Sequence, residues 1–111
     1  MQTANPNLTE GEQECLDACL AAVSVCEWCA DACLDESGMA ECVRLCRDVV
    51  DIASLHAHLT ARNSPHSGEL AELCASVCEA CAEECSQHEH DHCQACAEIL
   101  PECAEACRAV A

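Results

Sequence analysis

Between Cys15 and Cys33, five cysteines follow one another at steps of four, seven, three and four residues. These are helical steps. At 100° per residue the five side chains fall within roughly 80° of arc on one helix face. That face carries sulfur where leucine or isoleucine would normally meet a core. A helix with such a stripe must bury it, and its neighbours must accept thiols. The pattern returns at Cys74, Cys78, Cys81 and Cys85, spread over roughly 60°. It returns again at Cys93, Cys96, Cys103 and Cys107, with Leu100 in the gap of the stripe. A shorter rail, Cys42 and Cys46, sits in a stripe that reads Met39, Cys42, Cys46, Val49, Ala53, His56, Thr60.

The punctuation between the rails predicts four helices. Residues 1–8 form a flexible lead. Thr9 followed by Glu12 is a capping box, and the first helix spans about 9–35. Ser37-Gly38 breaks it. The second helix spans about 39–62 and ends at Asn63-Ser64-Pro65. Ser67 is a candidate cap for the third, about 67–86. The connector Ser86-Gln87-His88-Glu89-His90-Asp91-His92 leads into the fourth, about 91–110. Pro101 lies inside that helix and is expected to kink it rather than split it, because the cysteine phase is kept across it. Short connectors make neighbours antiparallel. The expected fold is all-α, a single antiparallel four-helix bundle over residues 9–111 with a cysteine-lined core. The first and third helices share C-xxx-C and C-xx-C-xxx-C spacings, so two helical hairpins would face each other across one axis.

Of the 111 residues, 15 are cysteine. An odd number cannot pair completely within the chain. The start, MQTANPNLTEGEQE, has neither a basic region nor an apolar run, and no stretch is apolar enough to span a membrane. A cytoplasmic, reducing setting is therefore expected, where dense cysteine means metal rather than a disulfide scaffold. The chain has 21 acids, four arginines (Arg44, Arg47, Arg62, Arg108) and no lysine, for a net charge of −17. That excludes nucleic acid as a partner. The acidity reads as a solvated surface suited to high salt, or as a field that attracts cations. With one tryptophan and no Phe or Tyr, Ala, Leu, Val and Cys must fill the interior.

Residues three and four apart on a helix lie roughly 5–6 Å apart at Cβ. Nine cysteine pairs have such spacing: 15/19, 26/29, 29/33, 42/46, 74/78, 78/81, 81/85, 93/96 and 103/107. All fifteen cysteines are therefore candidate metal ligands. Soft thiolates select Cu(I), zinc or iron–sulfur clusters. Zinc favours isolated sites of four ligands, which a long rail does not naturally form. Iron–sulfur clusters favour short loops of cysteine. Cys74-xxx-Cys78-xx-Cys81 has the spacing of a radical-enzyme cluster loop, but it is mid-helix and the chain lacks the barrel such enzymes need. Cu(I) is satisfied by two or three thiolates and shares them, which gives about one copper per cysteine, on the order of fifteen ions. The rival readings are a zinc or mixed-metal, metallothionein-like buffer and an iron–sulfur redox protein. No nucleophile–base–orienter set is visible, so no enzyme is expected.

From Cys15 to Cys107 the chain resembles the bacterial copper storage proteins, which are cysteine-lined four-helix bundles. The most specific stretch is His88-Glu89-His90-Asp91-His92-Cys93-Gln94-Ala95-Cys96-Ala97, which is similar to the connector and helix start of the family's cytosolic branch. The resemblance implies reversible storage of many Cu(I) ions, no catalysis, and a tetramer of bundles. Copper ions are the expected ligands, with a copper-carrying chaperone as donor or acceptor and no membrane partner. Few cysteines on the second helix and Leu100-Pro101 on the fourth depart from the pattern and bear on the number of coppers. Antiparallel packing gathers Met39, His88, His90 and His92 at one end, beside Cys33, Cys42, Cys85 and Cys93. This end is the expected mouth, with His92 and Met39 as direct ligands. His56 lies at the other end, either as a terminal ligand or as a satisfied core histidine. His58 and His66 read as loop or surface residues. Trp28 lies opposite the rail, partly exposed or covered in an oligomer.

Overall fold

A computed structural model describes residues 5–111. Four helices account for almost all of it: α1 (Glu10–Cys33), α2 (Ala40–Ala61), α3 (Ser67–Cys85) and α4 (Asp91–Ala109). Each begins and ends within two residues of the span expected from sequence. The capping box is formed. The Thr9 hydroxyl accepts from the Glu12 N–H at 3.1 Å, and the Glu12 carboxylate accepts from the Thr9 N–H at 2.8 Å. Residues 1–4 of the expected lead lie outside the described residues. Asn5 is tied down: its N–H donates to the Gln13 side chain at 2.9 Å and its side-chain amide donates to the Ala61 carbonyl at 2.8 Å.

Gly38, at φ +74°, takes the left-handed turn between α1 and α2. Asn63, at φ 55°, does the same after α2. There the Ser64 N–H reaches the Leu59 carbonyl at 2.9 Å and the Asn63 N–H reaches the Thr60 carbonyl at 3.0 Å. That pair of bonds is a Schellman stop, with asparagine where glycine usually sits. Ser67 is not the cap of α3. His66 holds the N-cap position, without a side-chain bond, and the Ser67 hydroxyl donates to the Ser64 carbonyl at 3.0 Å. Helix α4 runs unbroken through Pro101, so it is one helix rather than two.

α1 packs beside α2 and α4, and α3 packs beside the same two. α1 and α3 are therefore diagonal in an antiparallel square bundle. All fifteen cysteines are buried and free. Around them pack alanines, Val49 and Leu100, the last being the largest fully buried side chain. The rails thus share one dry axis, walled by small residues. No helix among the described residues is long and apolar enough to cross a membrane. On the outside, Arg108 pairs with Glu72 and Glu79, joining α4 to α3.

Candidate metal centre

Each end of the bundle carries one buried histidine whose Nδ1 faces three thiols. At the end formed by the α1–α2 turn and the α3–α4 connector, His92 Nδ1 lies 3.3 Å from Cys29 Sγ, 3.7 Å from Cys33 and 3.5 Å from Cys93. At the opposite end, His56 Nδ1 lies 3.6 Å from Cys19, 3.6 Å from Cys107 and 3.8 Å from Cys15. The two ring nitrogens of His56 differ: Nδ1 faces thiols and Nε2 does not. Its Nε2 is the one buried side-chain nitrogen or oxygen without a partner among the described residues.

Between the histidines the thiols form overlapping sets. Cys19, Cys74, Cys103 and Cys107 converge on one point, Cys29, Cys46, Cys85 and Cys96 on another, and Cys26, Cys46 and Cys81 on a third. Cys29 also belongs to the His92 set, and Cys19 and Cys107 to the His56 set. Direct sulfur–sulfur approaches include 3.5 Å for Cys42–Cys85 and 3.7 Å for both Cys46–Cys81 and Cys15–Cys107. Shared ligands of this kind suit a metal that accepts bridging thiolates.

Burial and contact set the protonation of these sulfurs. Burial pushes the Cys42 thiol up, and it raises Cys93 from 9.0 to about 11. Some sulfurs instead accept bonds from neighbours. Cys85 is lowered to about 4, first by Cys29, and Cys107 to about 3, first by Cys103. Cys46 is lowered by Cys26, Cys29 and Cys81, and Cys74 by Cys103, Cys107 and Cys19. For His56, burial opposes the charged form, but contacts from Cys107, Cys15 and Cys74 outweigh it and raise its pKa to about 12.

A pH dependence follows. The folded state holds the Cys93 proton more tightly than the unfolded chain does. The stability this supplies is full below pH 9.0 and is lost as pH rises through about 11. The metal-free bundle is expected to melt progressively lower across that window. The copper-loaded bundle, whose sulfurs already lack protons, should show no such slope. A flat profile for the metal-free protein would show that burial does not hold the Cys93 proton.

The other expected residues are distributed around the His92 end. Met39 is buried at the start of α2 and, with Cys33, lines a cleft of about 420 Å³. His88 bonds to Glu84 at 2.7 Å, and His90 approaches Glu36 at 3.8 Å. Neither makes a thiol contact among the described residues. The His90 ring stacks on His92, with ring centres 5.2 Å apart. His58 and His66 are exposed. Trp28 does not stand clear of the site. It is 51% exposed, yet its ring edge meets His92 with centres 6.1 Å apart. The helical wheel placed Trp28 away from its own rail, and only packing against α4 reveals that contact. The contact of the Cys96 thiol, a ligand candidate from the sequence, with the Val25 carbonyl at 3.7 Å also depends on packing between helices.

Stacked thiols enclosed by four helices, capped at each end by an imidazole, define an all-α metal-binding protein that holds its cargo inside the bundle. The profile of the copper storage protein family matches residues 8–111, and the chain belongs to that family. It is 42% identical over 102 residues to the uncharacterised cysteine-rich protein YhjQ of Bacillus subtilis strain 168, covering 89% of this chain and 94% of that one. Among solved structures it is similar to the Cu(I)-bound copper storage protein BsCsp3, at 41% identity and TM-score 0.87, over 92% of this chain and 99% of that one. It is also similar to a cytosolic copper storage protein from Streptomyces lividans carrying five coppers, at 33% identity and TM-score 0.86, over 91% and 92% of the two chains.

Proposed function

We propose that this chain stores many Cu(I) ions in the cytosol, as thiolate-bridged clusters inside the bundle, and releases them on demand. One observation carries the reading: fifteen free thiols, all buried, in sets that share members. A redox or hydrolytic enzyme has no use for so many equivalent sulfurs. A store needs capacity, exclusion of water and oxidants, and ligands that pass a metal from one to the next. Each copper that binds displaces protons from the thiols it joins. All fifteen cysteines, with His56 and His92, are the proposed ligands. His88, His90 and Met39 are proposed to guide copper at the His92 end, where the Cys33 cleft opens.

The test is an anaerobic Cu(I) titration against a competing chelator, with zinc run in parallel. About one tightly held Cu(I) per cysteine is expected. Three or four tightly held Zn(II) per chain, with weak copper binding, would identify a zinc buffer instead. A homo-oligomer is the further proposal. The exposed Trp28 borders an apolar cleft with Val25, Ala95 and Ile99, a face suited to association with a second copy. Native mass spectrometry decides it, since a purely monomeric species would remove that role from the face.

A further inference from the structure

We propose that the copper core is divided into two compartments that communicate through a single thiol, Cys78. The inference rests on the storage reading and concerns how the store is partitioned.

The division follows from the register of the four helices. Cys19 meets Cys103 at 3.9 Å, so one helical step from each, taken in opposite directions, sets Ala22 on α1 opposite Leu100 on α4. Cys15 meets His56 at 3.8 Å and Cys29 meets Cys42 at 3.8 Å. Two turns in from the first pair, Ala22 lies level with Val49 on α2. Cys46 meets Cys81 at 3.7 Å, which sets Val49 level with Cys78 on α3. One layer across the middle of the tube therefore consists of Ala22, Val49, Leu100 and Cys78, all with 0% exposure. Three of its four inward side chains have no lone pair to offer a metal.

The contacts respect this layer. Nine thiols lie on the His92 side, and the remaining six, Cys78 included, lie at the layer or beyond it on the His56 side. No hydrogen-bonding contact between thiols, or between a thiol and an imidazole, crosses from one set to the other among the described residues. Each named ligand cluster also sits wholly on one side. The thiols that act on Cys78 are Cys103 and Cys74, on its own side, and Cys81 of the other compartment stands three residues further along α3, roughly 5–6 Å away at Cβ.

Cu(I) moves between thiols by exchange. One copper–sulfur bond forms as another breaks, the incoming thiol loses its proton, and the sulfur left behind gains one. No electron is transferred. Exchange needs the old and new sulfur within reach of the same ion, so an apolar layer stops it everywhere except at Cys78. The direction of filling is set by access. All six thiols of the inner compartment and His56 have 0% exposure, whereas Cys33, Met39 and His92 are 2%, 4% and 7% exposed. The compartment of nine fills first, and the compartment of six fills through Cys78.

The experiment is rapid anaerobic mixing of the whole protein with chelator-buffered Cu(I), read by copper–thiolate absorbance and by Trp28 emission. Two phases are expected, with amplitudes near nine to six. Trp28, whose ring meets His92, should report the first phase only. Cys78→Ala should slow the second phase by about tenfold or more and leave the first unchanged. Leu100→Cys, which places a second sulfur in the layer, should merge the phases. Circular dichroism checks that each variant is helical, and Leu100→Cys carries the test if Cys78→Ala does not fold. A single phase in the unaltered protein, or a second phase indifferent to both substitutions, would overturn the partition. Failure of the storage reading looks different: few ions bound at equilibrium, whatever the kinetics.

Discussion

Filling the core with Cu(I) is expected to raise the melting temperature by tens of degrees, while far-UV circular dichroism stays that of the metal-free bundle. The two halves of this result have separate causes. The metal-free chain folds because protonated thiols pack as small apolar groups and because its helix signals are local: a capping box at Thr9, a Schellman stop at Asn63, and a left-handed turn at Gly38. Copper then binds the folded state, where the thiols are already gathered, more tightly than the unfolded chain. A single site held at a free-ion concentration a thousandfold above its dissociation constant adds at most about 4 kcal/mol, less whatever the unfolded thiols recover by binding copper themselves. A domain of this size is stable by only about 5–15 kcal/mol, so a few filled sites dominate the total. The measurement is a pair of thermal melts, metal-free and loaded, with spectra recorded before each. A disordered metal-free chain that becomes helical on loading would contradict this account and point to folding around the metal.

The second large effect is expected at Leu100. Replacing it with alanine should destabilise the metal-free protein by about 2–5 kcal/mol, read from urea unfolding. The reason is the poverty of the core. Cysteine and alanine supply most of it, and Leu100 is its largest fully buried side chain. Its neighbours in the central layer, Ala22 and Val49, are short and sit on rigid helices, so they cannot collapse into the space left behind. Leucines elsewhere give the control. Leu20, Leu55 and Leu73 are 45–55% exposed, and their replacement by alanine should cost no more than about 0.5 kcal/mol. Equal effects at Leu100 and Leu73 would show that the central layer carries no special weight.

Much of this molecule could be read before any fold was seen. Cysteine is rare enough in helices that its period stood out without an alignment, and the period placed every rail on an inward face. The turn residues placed the breaks to within two positions. The start of α3 matches the sequence pattern, but its cap does not: Ser67 has the look of a cap and is instead the first residue of the helix. The chain had already turned at Ser64, whose hydroxyl accepts from the His66 N–H at 3.1 Å, and the Ser67 hydroxyl is occupied by the same turn. What a helical wheel cannot supply is axial register between helices. It gave the angle of Cys46 but not its meeting with Cys81. It put His56 on the inward stripe but could not show three thiols around Nδ1 or a bare Nε2. It also treated Leu100 and Val49 as separate interruptions of separate rails, when register sets them level with one another.

The enclosure of every sulfur has one more consequence. The ligands stand on four continuous helices rather than on loops, so taking up metal changes the density of the interior and hardly its outline. A full bundle and an empty one then present the same acidic exterior, net −17 by sequence. A partner that reads only shape or surface charge has nothing by which to sort them. Supply and demand must be sensed at the opening, through the free concentration of the ion itself, so that the protein behaves as a reservoir levelled by chemical potential rather than as a signalling state.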